Sequence, residues 1–93
     1  MQFMVTSRRR IEQYRDADFA PLIPAETKRI KQLYAEGIVR HIWQRDDGLG
    51  ACFVLESADL ATARTVVESL PVARAGLAEF IVLPLRPYRG FTS

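Results

Sequence analysis

One histidine and one tryptophan occur in the chain, and they stand two residues apart, as His41 and Trp43, within GIVRHIWQRDD from Gly37 to Asp47. The run has strand character, and residues i and i+2 of a regular strand point to one side, so both are expected to share a surface with Val39. An imidazole changes charge near neutral pH, which makes His41 a candidate to hold or relay a proton, or to polarise a carbonyl oxygen. Trp43 offers a flat ring for stacking on a planar conjugated or aromatic ring. Upstream, Glu26 stands four residues before Ile30 and seven before Leu33, on the apolar stripe of a helix, where packing alone does not call for a carboxylate. The helix N-terminus favours its anion and burial favours the neutral acid; in a closed pocket burial prevails. A carboxyl raised towards neutrality can take a proton from one carbon and deliver it to another.

Each residue also has a plainer role. Glu26 near a helix start is stabilised by the macrodipole while reaching to water. His41 can be a strand histidine bonded to a backbone carbonyl, and Trp43 can be plain core. Tyr34, beside the helix stripe, donates a hydrogen bond or fills space. Arg86, like Lys28, Arg29 and Arg89, binds a substrate carboxylate from the rim or is solvated surface charge. Arg40 alternates to the side opposite His41. Cys52 has no basic neighbour to activate it and reads as a small buried hydrophobe.

These side chains need a scaffold, and the hydrophobic pattern supplies one. QFMVTS, Gln2 to Ser7, is a first strand. Arg8 to Asp18 is polar and reads as a long loop or loosely packed helical turn anchored by Ile11, Tyr14 and Phe19. A first helix lies within Pro21 to Glu36, with Pro24 in its first turn, or an earlier start capped by Asp16 or Asp18, and Gly37 as its stop. Ile38 to Arg45 and Ala51 to Glu56 form strands around the Asp47-Gly48 turn. Ser57 caps a second helix, Ala58 to Leu70, which Pro71 ends, and a last strand lies within Leu77 to Leu85. The order β-α-β-β-α-β predicts a ferredoxin-like α+β fold spanning residues 1–93 as one domain, an antiparallel sheet with both helices on one face. Both faces of that sheet are rich in apolar residues, so a second layer is expected over the open one, supplied by a homodimer.

Composition narrows the function classes. Thirteen Lys and Arg against 11 Asp and Glu leave a net charge of +2, too small a surplus for phosphate-driven nucleic-acid binding, and Arg8-Arg9-Arg10 reads as a solvated loop. One cysteine permits no internal disulfide, and no spacing suggests a metal site, so no metal is expected. The start lacks a signal peptide's pattern and no apolar run spans a bilayer; the expectation is a cytoplasmic protein acting on a small molecule, without membrane or nucleic-acid partners.

The combination of Glu26 in the first helix with LYAEGIVRHIW, FVLESADLATARTVVESLP and a closing strand ending in PLRPY resembles the muconolactone isomerase family. The His41-x-Trp43 pair after a glycine and the Glu56-Ser57 to Leu70-Pro71 segment carry most of it. The resemblance implies a dimeric α+β barrel, in some members a larger ring. It implies cofactor-free proton-shift isomerisation of a small lactone or related conjugated carbonyl compound. Glu26 and His41 would be the catalytic residues, with Trp43, Tyr34 and Arg86 against the substrate. The same fold class includes cofactor-free monooxygenases and cyclases of aromatic polyketide metabolism, for which Trp43 and Tyr34 matter more than Glu26, and non-catalytic binding modules. Residues 8–19 and the basic tail have no close counterpart in the resemblance.

Overall fold

The structure, a computed structural model, describes residues 1–91. Its elements are β1 (Gln2–Arg9), α1 (Asp16–Phe19), a 3-10 turn (Ala20–Leu22), α2 (Ile23–Ala35), β2 (Val39–Gln44), β3 (Ala51–Glu56), α3 (Leu60–Glu68), α4 (Pro71–Arg74), β4 (Ala78–Pro84) and a closing 3-10 turn (Arg89–Phe91). The strands form one antiparallel sheet in the order β2-β3-β1-β4, the ferredoxin-like arrangement.

Several boundaries move for identifiable reasons. β1 runs beyond Ser7 because Arg8 and Arg9 pair with Glu79 and Ala78 of β4. The following segment forms a short helix of its own, begun at Asp16, with the Asp18 carboxylate accepting from the Arg15 N–H at 2.8 Å. Asp59, rather than Ser57, caps α3 by accepting from the Thr62 N–H at 2.8 Å, and the Ser57 hydroxyl donates to the Asp59 carbonyl instead. Pro71 follows α3 and also opens α4, at the position where a missing N–H costs nothing.

One side of the sheet and the helices enclose the core. Phe3, Val5, Leu33, Val39, Phe53, Leu55 and the α3 residues Ala63 and Val67 form its main cluster. A smaller cluster of Phe19, Val72, Leu77 and Ala78 lies under the segment before α2, and Phe80 packs against both.

β2 departs from regular alternation in a way that decides the location of its side chains. Val39 pairs with Leu55, but His41 pairs with Val54 and Trp43 with Cys52, which leaves Arg40 without an opposite residue: a β-bulge. Val39 is therefore buried on the helix side, Ile42 and Gln44 follow it there, and His41 and Trp43 face the other way. The expected surface shared with Val39 is thus corrected by one extra residue. His41 and Trp43 do share a face, their rings stacked at 5.7 Å and 16°.

The helix-free face carries two cross-strand rows, His41–Val54–Met4–Leu83 and Trp43–Cys52–Thr6–Ile81. It leaves Trp43 55%, Ile81 66% and Leu83 56% exposed. Among the described residues no helix is long and apolar enough to cross a membrane.

Candidate active site

A cavity of about 340 Å³ opens between α2, α4 and the helix-covered face of the sheet, at the end where β2 turns into β3. It lies where the two apolar clusters fail to merge: Ile30, Ile42 and Phe53 form one wall, Val72, Ala78 and Phe80 another. Glu26, Arg9, Ser7, Thr27 and Gln44 bring polar atoms to this mainly apolar space.

Glu26 is half-buried in the first turn of α2. Its Oε1 accepts from the N–H of Val72 at 2.9 Å. Val72 is the second residue of α4, whose own cap position is held by Leu70, a side chain with nothing to offer a free N–H; Glu26 supplies the acceptor from another helix. Burial pushes the Glu26 carboxyl up from its ordinary pKa, and the Val72 hydrogen bond offsets this only in part. Oε2 accepts no hydrogen bond among the described residues and is not sealed from solvent, so one oxygen remains available.

The opposite rim is fixed by the β2–β3 turn pressing on β1. The buried Ser7 hydroxyl accepts from the Ala51 N–H at 2.9 Å and lies 3.3 Å from the Ala51 carbonyl, to which it donates. Arg45 donates to the Ser7 carbonyl at 3.1 Å and to Asp47 at 2.7 Å. Glycine is required at position 50 because a Cβ there would lie 2.3 Å from the Ser7 carbonyl oxygen. Gly50→Ala should lift the turn from β1 and cost about 1–3 kcal/mol, the range typical of overpacking. Chemical denaturation checks this, and an unchanged midpoint would refute the clamp.

Arg8, Arg9 and Arg10 are not a solvated loop. Arg8 pairs with Glu12 and Glu79, and Arg10 donates to the Gly76 carbonyl at 3.0 Å. Arg9 turns to the cavity, with its guanidinium 4.9 Å from the centre of the Phe19 ring.

Of the residues expected to act together, the structure brings Glu26 and Trp43 to this cavity. Strand alternation leaves only the main chain of Trp43 for that side, since its ring stacks on His41 across the sheet. His41 does not line the cavity, so the expected grouping of Glu26, His41 and Trp43 does not form within one protomer; the bulge at Arg40 is the reason. Tyr34 is 61% exposed and Arg86 is exposed beyond β4, and neither lines the cavity. Arg9, Ser7 and Gln44 were not singled out by the sequence reading. Continuing the β1 alternation from Phe3 and Val5 to Ser7 and Arg9 is the signal that finds the first two. Among the described residues no three His, Cys, Asp or Glu side chains are grouped to hold a metal ion.

No family model matches the chain, and no curated protein sequence matches it. Among solved structures it is similar to 5-chloro-2-hydroxyhydroquinone dehydrochlorinase from Burkholderia phenoliruptrix AC1100 in complex with 2,5-dihydroxybenzoquinone. The TM-score is 0.65, over 97% of this chain and 98% of that one, at 18% identity. At that identity the likeness is one of fold, and it shows the ferredoxin-like α+β class. That protein is a dehydrochlorinase seen with a small molecule bound.

Proposed function

We propose that the chain is a cofactor-free enzyme that shifts a proton along a small conjugated lactone or related carbonyl compound, with Glu26 as its acid–base group. The observation that carries the reading is the half-buried Glu26 carboxyl, raised in pKa by burial and with one oxygen available, in a mainly apolar cavity of small-molecule size. In this reaction the carboxylate removes a proton from the carbon next to the carbonyl. The electron pair moves onto the carbonyl oxygen as an enolate, and the protonated Glu26 returns the proton to a carbon further along the conjugated system. Thr27 and Gln44, which line the cavity, would serve as the neutral donors to the enolate oxygen. His41 and Trp43 belong in this reading to a homodimer interface on the helix-free face of the sheet.

The test is incubation with a panel of conjugated lactones in D2O, followed by NMR. Deuterium at the carbon further along that receives the proton, together with a migrated double bond, is expected with the wild type and lost with Glu26→Gln. The Val72 hydrogen bond favours a second reading, a small-ligand-binding module in which Glu26 only docks α4. Ligand-induced thermal stabilisation without deuterium incorporation by any compound in the panel would select it.

A further inference from the structure

A proton shift between two carbons requires the substrate to be held in one orientation, and Glu26 alone gives no second point of attachment. Arg9 offers one. It ends β1 on the side shared with Phe3, Val5 and Ser7, and lines the cavity that Glu26 also lines. Its backbone N–H donates to the Leu49 carbonyl at 2.7 Å, which fixes the strand end on the β2–β3 turn. Its guanidinium lies over Phe19, itself only 2% exposed and braced edge-on by Tyr14 at 6.4 Å. The cation therefore rests on a rigid aromatic platform.

The neighbouring arginines have acceptors, whereas the Arg9 guanidinium makes no ion pair or hydrogen bond among the described residues. Nor does it pair with Glu26, whose carboxyl is shifted by burial and by Val72 and not by a cation. Acid and cation thus occupy separate parts of one cavity. A guanidinium held over a ring and without an acceptor of its own keeps its N–H groups free, and their fork matches the two oxygens of a carboxylate.

We infer that Arg9 is the specificity-determining residue of the cavity, binding a carboxylate on a small planar substrate whose conjugated end is presented to Glu26. This rests on the proton-shift reading and adds the substrate class: a conjugated carboxylic acid.

The experiment is calorimetric titration of the wild type, Arg9→Gln, Arg9→Lys and Arg8→Gln with sorbate and with methyl sorbate, which differ in the carboxylate charge. The wild type should prefer sorbate by about tenfold to hundredfold, the range of a charge-assisted hydrogen-bonded pair. The ratio should fall towards one in Arg9→Gln and to an intermediate value in Arg9→Lys, which keeps the charge without the fork. It should be retained in Arg8→Gln. Equal affinities in the wild type, no binding of sorbate at all, or a preference that survives in folded Arg9→Gln would overturn the inference. Should Arg9→Gln not fold, a wild-type ratio in Arg9→Lys overturns it. These ratios are read without turnover. An unaltered ratio in Arg9→Gln beside lost deuterium exchange in Glu26→Gln rejects the role of Arg9 and leaves proton transfer standing; the reverse pattern rejects proton transfer and leaves carboxylate binding.

Discussion

Glu26→Gln is expected to lower turnover by about 10²- to 10⁴-fold, the usual loss on removing a general base, and to leave the fold in place. Glutamine keeps the length of the side chain and an oxygen that can accept the Val72 N–H, now bonded at 2.9 Å, so α4 stays docked. What disappears is the proton-accepting carboxylate. The same variant carries a second, opposite signature in stability. Burial raises the Glu26 pKa, so the folded protein binds this proton more tightly than the unfolded chain. That contribution to stability is complete below the unfolded carboxylate pKa and is lost as pH rises through the folded value. At neutral pH the ionised group is a cost to the fold, and Glu26→Gln should melt no lower than the wild type, its relative advantage shrinking in acid. Steady-state kinetics and thermal midpoints across pH measure both. Unchanged turnover removes Glu26 from the mechanism; a marked loss of stability at neutral pH would make docking of α4 its main task.

At micromolar concentration the chain is expected to sediment as a dimer, and Trp43→Lys with Ile81→Lys should return it to a folded monomer. Both residues lie in one cross-strand row on the helix-free face and are 55% and 66% exposed. Leu83, Met4 and Val54 lie in the adjacent row. The Arg8–Glu79 ion pair, 3.2 Å, borders these rows, which gives the apolar centre and polar edge of an association surface. Burying a large apolar side chain is worth about 1.5–3 kcal/mol. Exchanging two of them for charges at each half of a symmetric contact should therefore raise the dissociation constant by more than about 10³-fold. The helix-side core is untouched by either change, so circular dichroism should be that of the wild type. A wild type that remains monomeric at 100 µM, about a hundred times the working concentration, ends the dimer proposal.

Element order was legible because hydrophobic period and turn chemistry agree along most of the chain. β3 occupies Ala51–Glu56 as expected, since the Asp-Gly turn and the alternation around Phe53 and Leu55 fix its register from both ends. The end of β1 was hidden because Arg8 and Arg9 have no strand preference of their own and are held by pairing with β4. Ser57 and Asp59 are both good caps by type, and only the approach of the chain to α3 selects Asp59. In the site, Glu26 was legible from its helical spacing to Ile30 and Leu33. The position of His41 was not. Residues 38–45 contain no glycine or proline to mark a bulge, so nothing local announces that alternation breaks at Arg40. Arg9 was concealed among three arginines whose surroundings differ although their residue type does not.

The bulge also gives this strand an unusual evolutionary arithmetic. Deleting the single codon for Arg40 would join the Val39–Leu55 pair directly to His41–Val54 and leave every later pair as it is. The imidazole and indole would stay on the helix-free face and Ile42 and Gln44 on the helix side; they would change places only if the strand kept its length and lost the bulge, with Arg40 opposite Val54. A change in length by one residue is thus absorbed at the bulge, and both surfaces keep their occupants. This strand can thus gain or lose a residue at the bulge without exchanging the side chains of its two faces.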